Sequence, residues 1–402
     1  MSKPFGDSGG RPTALFLTPE PPYPLAGGGA LRGAALLNYL ATRYTVDVMA
    51  FREPASPDPV ETIPRALAGR VGVVNLPVHS RTAAARAWRN LRRMARGVPP
   101  LVDRFAGFAG EVAGALDGKR YDLAVIEHFW CAPYVEQLAR RAGRVVLDLH
   151  NVESVLHERC ALTERWPVAW AHRWFARNCR RLERRLLPRL DLLLTASEAD
   201  ADRLRGLSSA TPVEVYPNTI PAVARPERKP MDAIVFSGNM EYHPNIAAVR
   251  FFATRIWPLL RERWPGLSWL LIGKNPRSVL EFMERDPRIR VVGAVENSVE
   301  AIALAKVAVV PLLAASGTRI KILEAWAAGV PVVSTRIGAE GLPARHGEHL
   351  LVADDPAEFA EAVSALLESD SRGRQLAAAG RALYETEFTW EAGWRRLEKI
   401  GI

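Results

Sequence analysis

Cysteine is scarce. Three occur in 402 residues, Cys131, Cys160 and Cys179, and none stands at metal-ligand spacing. That excludes a disulfide framework and a cysteine metal site, and it fits a reducing compartment. Long apolar runs are missing: none approaches the roughly 20 residues of a membrane span. The first dozen residues are polar and glycine-rich, without the apolar core of a signal peptide. The expectation is a cytoplasmic protein. Two ligand signatures are also absent: no Asp-x-Asp stands at a strand end, and the G-x-G-x-x-G dinucleotide fingerprint does not occur. Nor is there an acidic excess. The formal net charge is +9, which suits polyanionic partners: sugar nucleotides, anionic lipid surfaces or nucleic acid.

What is present is alternation. In the first half, strands are predicted at Thr13–Thr18, Val46–Phe51, Val71–Leu76, Asp122–Ile126, Val145–Leu149, Asp191–Ala196 and Val213–Tyr216. The second half repeats the plan at Ala233–Ser237, Trp269–Gly273, Ile289–Gly293, Val307–Leu313, Val330–Thr335 and His349–Ala353. Helical patterns separate these runs. The result is an α/β chain with two parallel-sheet domains around a cleft. The proline-rich run 221–230 reads as a linker between domains 1–220 and 231–387, and 388–402 as a terminal helix.

The most informative stretch is Pro311–Arg336. Thr318 is placed to cap a helix over Arg319–Ala328, and Gly329 to end it in a left-handed conformation. The helix start gathers backbone N–H groups, the Ser316 and Thr318 hydroxyls, Gly317, and the cations Arg319 and Lys321, an arrangement suited to a phosphate or diphosphate. Glu324 lies roughly 7–8 Å further along at the helical rise, where a carboxylate could accept bonds from a ribose diol. The alternative is a surface Lys321–Glu324 pair on a solvated face. Spacing alone does not choose between them.

Elsewhere, Gly27-Gly28-Gly29 lies between the first strand and a helix over Ala30–Tyr39, where it lets a ligand approach the backbone closely. His128 and His150 follow the fourth and fifth strands, where open α/β sheets place their ligands. Either could be a plain hydrogen-bonded histidine, a reading that suits His128 better. Two basic stretches, Arg81–Arg96 with Trp88, Leu91 and Met94, and Trp166–Arg189, suit adsorption to an anionic membrane surface. A helix packed through Trp88 and Leu91 is the alternative. No nucleic-acid module accompanies them, so nucleic acid is not an expected partner.

SGTRIKILEAWAAGVPVVST resembles the donor-site segment of the retaining glycosyltransferases of family 4, and the resemblance extends over nearly the whole chain. It implies the GT-B fold of two facing Rossmann-like domains, a terminal helix crossing back to the first, and no cofactor beyond a nucleotide-diphosphate sugar as co-substrate. In that family the segment typically carries two glutamates with seven residues between them. Glu324 matches the second, a ribose ligand, whereas Ser316 occupies the place of the first. His150 resembles the histidine that contacts the transferred sugar, His128 is the second candidate, nearer the acceptor, and Gly27–Gly29 underlie diphosphate and acceptor. Many relatives carry an arginine and a lysine in the loop where Gly238 and Asn239 stand here as backbone and amide donors. Phosphate neutralisation then rests more on Arg319 and Lys321.

The implied activity is metal-independent transfer to a saccharide or lipid-linked acceptor in polysaccharide assembly, at the inner membrane face. A sugar-nucleotide epimerase of the same fold and an inactive nucleotide-sugar-binding scaffold are the alternatives. A nicotinamide oxidoreductase ranks below both, because the fingerprint glycines are not in place.

Overall fold

Runs such as Ala14–Leu17, Leu123–Ile126 and Val145–Leu147 are apolar at every position, so both faces of the sheet they form must be covered. A computed structural model describes residues 10–402 apart from 26, 55, 81, 117, 209, 228–229 and 315–318. The first sheet contains β1 (Thr13–Thr18), β2 (Thr45–Arg52), β3 (Arg70–Asn75), β4 (Tyr121–Glu127), β5 (Ala142–Leu149), β6 (Leu192–Thr195) and β7 (Val213–Val215). Its order is β3-β2-β1-β4-β5-β6-β7, and every pairing is parallel. Successive side chains alternate between faces. Leu15, Leu17, Met49 and Phe51 pack into one core, while Ala14, Phe16, Val48 and Ala50 pack into the other.

The second sheet contains β8 (Ala233–Ser237), β9 (Ser268–Ile272), β10 (Ile289–Gly293), β11 (Val307–Val310), β12 (Val332–Ser334) and β13 (Leu351–Val352). Its order is β10-β9-β8-β11-β12-β13, again parallel throughout. Each sheet is therefore Rossmann-like, and the order reverses beside its first strand, at β1/β4 and at β8/β11. Ligands of such sheets bind outside the carboxyl ends of the strands at that reversal.

The chain divides into two units. The first runs to Pro217 and takes back Trp394–Ile402; the second is Asn218–Gly393 with Leu162–Glu164. Asn218–Ile220 join the second unit because Ile220 N–H donates to Phe388 O (3.0 Å) and Trp390 N–H to Ile220 O (3.2 Å). Of the proline-rich stretch 221–230, Pro221 O accepts from the Tyr384 hydroxyl (2.7 Å) and Val223 O from Arg381 (2.8 Å). The terminal helix spans Trp390–Ile400. Trp394 Nε1 donates to Ala35 O (2.9 Å), Tyr39 Oη donates to Ile402 O (2.8 Å), and Leu397 is fully buried in the first unit's core.

The helix of the informative stretch covers Ile320–Ala327, beginning one residue later than the sequence predicts. Arg319 occupies its cap position without a side-chain cap bond, and Gly329 ends it at φ 67°. Ser316, Gly317 and Thr318 lie outside the described residues, as does Arg81 at the start of the first basic stretch.

Candidate functional site at the strand ends

In the first unit, the helix Gly28–Arg43 starts from Gly27, whose φ of 100° is one that glycine adopts without strain. One turn on, Gly33 faces the Glu127 carboxylate so closely that a Cβ would stand 2.5 Å from Oε1. Glu127 ends β4 fully buried. Thr18 Oγ1 donates to its Oε2 (2.5 Å), and His150 Nε2 lies 3.1 Å from its Oε1. Asp148, on β5, takes two bonds from the buried Arg32, Nε to Oδ2 (2.8 Å) and Nη2 to Oδ1 (2.5 Å), and Arg32 Nη1 reaches Tyr216 O (2.7 Å).

Burial alone disfavours every one of these charges, and mutual compensation sustains them. Asp148 is desolvated, yet Arg32 and His150 hold it down to about 2. Burial pulls His150 down, but bonds to Asp148 and Glu127 outweigh it and leave its pKa raised. Asp148 thus answers both Arg32 and His150, and Glu127 holds the same face of the imidazole.

His128 behaves otherwise. It is buried at φ 62°, and neither ring nitrogen has a hydrogen-bond partner among the described residues. Burial, then the neighbouring His150 and Arg32, push its pKa well below the ordinary histidine value, so the ring is neutral. It stacks on Trp130 (4.1 Å between centroids, 13°) and meets His150 at a tilt (3.5 Å, 34°). The plain hydrogen-bonded reading of His128 is therefore corrected. His150 is the bonded imidazole, with Nε2 turned inward, and His128 is the one with unused polar capacity. Its Nε2 lies 3.7 Å from where a Gly29 Cβ would be.

In the second unit the reversal point holds Lys321 and Glu324, both half-buried. Each bonds to other side chains rather than forming a solvated pair on the helix face. Lys321 Nζ donates to Asn245 Oδ1 (2.8 Å) and lies 4.8 Å from the Phe236 ring centroid. Glu324 accepts from Ser298 (2.6 Å) and Ser237 (3.4 Å). Burial, then the charge of buried Arg319, pulls Lys321 down to about 7; burial raises Glu324 against its serine donors.

Gly238, at φ 153°, leaves room between Asn245 and Lys321. Its N–H already donates to Ile272 O (2.9 Å), so it is not the phosphate donor the sequence suggested. Asn239 Oδ1 accepts from Glu241 N (3.0 Å) and Asn275 Nδ2 (3.1 Å), bonds that shape the loop.

Sequence reasoning missed Glu127, Asp148, Arg32, Asn245 and Ser298. One signal was available for Arg32: a lone arginine in the apolar helical run ALRGAALL calls for a buried anion. Among the described residues, Glu127, Asp148 and His150 offer ligand atoms within 4.8 Å of one another. A cation there would have to displace Arg32 from Asp148 and break the contact of His150 with Glu127, so the set fits an ion network better than a metal.

The raised pKa of His150 has a defined consequence. Its stabilisation is fully present below its ordinary value of about 6.5 and is lost as pH rises through the folded value. In denaturant titrations at a series of pH values, wild type should lose stability relative to His150→Gln across that upper window. Parallel pH profiles for the two proteins would contradict the network.

Two family models match the chain: Glycosyltransferase Family 4 over residues 26–222 and Glycosyl transferases group 1 over residues 232–369. The chain is similar to a sucrose-phosphate synthase of Thermosynechococcus elongatus, at 19% identity and TM-score 0.72, covering 96% of this chain and 98% of that one. It is also similar to HepE of Anabaena in complex with UDP and glucose (15%, TM-score 0.64, 97% and 99% covered). A variant of S. aureus TarM, in complex with fondaparinux, α-GlcNAc-glycerol and UDP, matches at 9% and TM-score 0.67, covering 97% and 99%. A 44.6 kDa uncharacterised protein of the cps region of Klebsiella pneumoniae is 25% identical over 136 residues, 32% of this chain and 35% of that relative's length. With two parallel Rossmann-like sheets and both halves matched, the chain belongs to the family 4, group 1 glycosyltransferases.

Proposed function

We propose that this glycosyltransferase moves a sugar, with retention, from a nucleoside-diphosphate sugar to a saccharide or lipid-linked acceptor, with protein cations in place of a metal. The carrying observation is Lys321 and Glu324, half-buried on one helix at the reversal point and bonded to neutral partners. Lys321 and Arg319 would steady the leaving diphosphate as charge develops on it. Glu324, purely an acceptor when ionised, would take the ribose diol. Neutral His128 can donate one bond and accept another, which suits a sugar hydroxyl. UDP-glucose bound in HepE supports a nucleotide sugar as donor. Retention rests on the family resemblance, with Ser316 where relatives carry a glutamate.

The lowered pKa of Lys321 makes this testable. At pH 8 a group with a pKa of about 7 is mostly neutral, and an adjacent diphosphate would raise its pKa and recruit a proton. Calorimetric binding of a nucleoside diphosphate at pH 8, in buffers of different ionisation heat, should show uptake approaching one proton in wild type and little in Lys321→Met. Affinity should fall above pH 7 by up to about tenfold per unit. Equal proton uptake in both proteins would reject the role of Lys321.

The same reading includes an anionic membrane surface for a lipid-linked acceptor. The helix Ala83–Arg96 contains no acid, and its Trp88 and Leu91 are 67% and 58% exposed, so neither is the packing face considered from sequence. It packs beside the helix Val168–Leu186 through Trp174 Nε1, which donates to Met94 O (3.3 Å), and Trp170 there is also exposed. No helix among the described residues is long and apolar enough to cross a membrane. Binding to vesicles containing acidic lipid should fall steeply with salt, because exposed charges are screened within about 10 Å at 0.1 M. No binding to such vesicles at low salt would sink this part.

A further inference from the structure

Among the described residues His128 has no hydrogen bond to fix its ring, so its pose depends on the rings it packs against. One neighbour, His150, is held by the carboxylates; the other is Trp130. Trp130 also lies flat against Phe105, with centroids 5.7 Å apart and an 8° interplanar angle. Stacking on both sides restrains tilt but leaves rotation within the ring plane. That rotation is stopped by one polar tie, Trp130 Nε1 donating to Glu153 Oε1 at 3.0 Å. Glu153 opens the helix Glu153–Thr163, is buried, and takes no part in the chemistry proposed above.

We propose that Glu153 is a positioning residue: its carboxylate fixes the in-plane orientation of the Trp130 indole, and Trp130 sets the pose in which His128 meets a sugar hydroxyl. The second half rests on the glycosyltransferase reading of this site; the first does not.

The surroundings of Glu153 support a device sensitive to its charge. The ionisable groups facing it are Glu183 and Cys179 on the helix Val168–Leu186 and His150 beyond β5. Glu183 is itself occupied by Ser154, through N–H (3.0 Å) and Oγ (2.6 Å). Burial, helped by the charge of Glu183 and opposed by the bond from Trp130, raises Glu153 to about 7. Above that value the tie is charge-assisted and stronger; below it, a neutral carboxyl oxygen still accepts the bond more weakly.

The test follows the indole N–H resonance of Trp130, assigned by its loss in Trp130→Phe, through a pH series, alongside the kinetics of transfer. In wild type the resonance should shift with a midpoint near pH 7, and Glu153→Gln, which keeps an acceptor but cannot ionise, should abolish that shift. Glu153→Gln should also hold kcat within about threefold, whereas Glu153→Leu should lower it about tenfold or more with KM for the nucleotide sugar unchanged. The His128 imidazole resonance should move in Glu153→Leu and stay in Glu153→Gln, a readout that needs no turnover. A resonance that still titrates in Glu153→Gln, or a Glu153→Leu protein with wild-type kcat and an unmoved His128, overturns the proposal. If Glu153→Leu does not fold, Trp130→Phe, which keeps the stack and removes the tie, must move His128 instead. Absent turnover in wild type with the resonance behaviour intact would count against the transfer reading and not against the tie.

Discussion

Charge that is taken out of water must be compensated, and that constraint organises both strand-end sites. In the first unit the compensation is internal. Arg32 and His150 offset Asp148 and Glu127 within a few ångströms, and removing one partner of a buried pair costs about 3–5 kcal/mol. The backbone conforms to this network. Helix Gly28–Arg43 carries glycine at position 33 because Glu127 occupies the space of a side chain there. In the second unit the compensation is incomplete. Lys321 leans on the neutral Asn245 and loses much of its charge near pH 7, while Glu324 is held by hydroxyls. A diphosphate and a ribose diol are the chemistry that would complete it.

The contrast explains a division of labour between the two Rossmann-like sheets, which share one strand order and differ in what their reversal points hold. The network of the first unit is closed on itself, Arg32 and His150 meeting Asp148 and Glu127. His128 stands out from it as a neutral group whose two ring nitrogens have no partner among the described residues. The second unit offers charges whose ionisation a ligand can change.

Much of this was legible in the chain. Thirteen strand runs, alternating with helical patterns, gave the two parallel sheets, because strands buried on both faces are apolar throughout and easily seen. Glu324 and Lys321 were found because the helical pattern of Ile320–Ala327 and its stop at Gly329 are local. Lys321's actual partner, Asn245, and the Glu324 donor Ser298 lie far off in sequence, and no periodicity announces them. The roles of the two histidines could not be assigned from position. Both follow strands, and only the distances to Glu127 and Asp148 separate the bonded His150 from the unbonded His128. The edges of elements also moved. Strand β13 keeps two residues of the five expected, since edge pairing depends on a neighbour that local sequence does not reveal.

The central claim is that the second unit grips a ribonucleoside diphosphate through Glu324. The most direct measurement compares binding of the best-bound nucleoside diphosphate with its 2′,3′-dideoxy analogue, on wild type and on Glu324→Gln. The account predicts that wild type prefers the ribonucleotide by about tenfold or more, one charge-assisted bond being worth roughly 1.5–3 kcal/mol, and that Glu324→Gln largely removes the preference. Equal binding of the two ligands by wild type would contradict it.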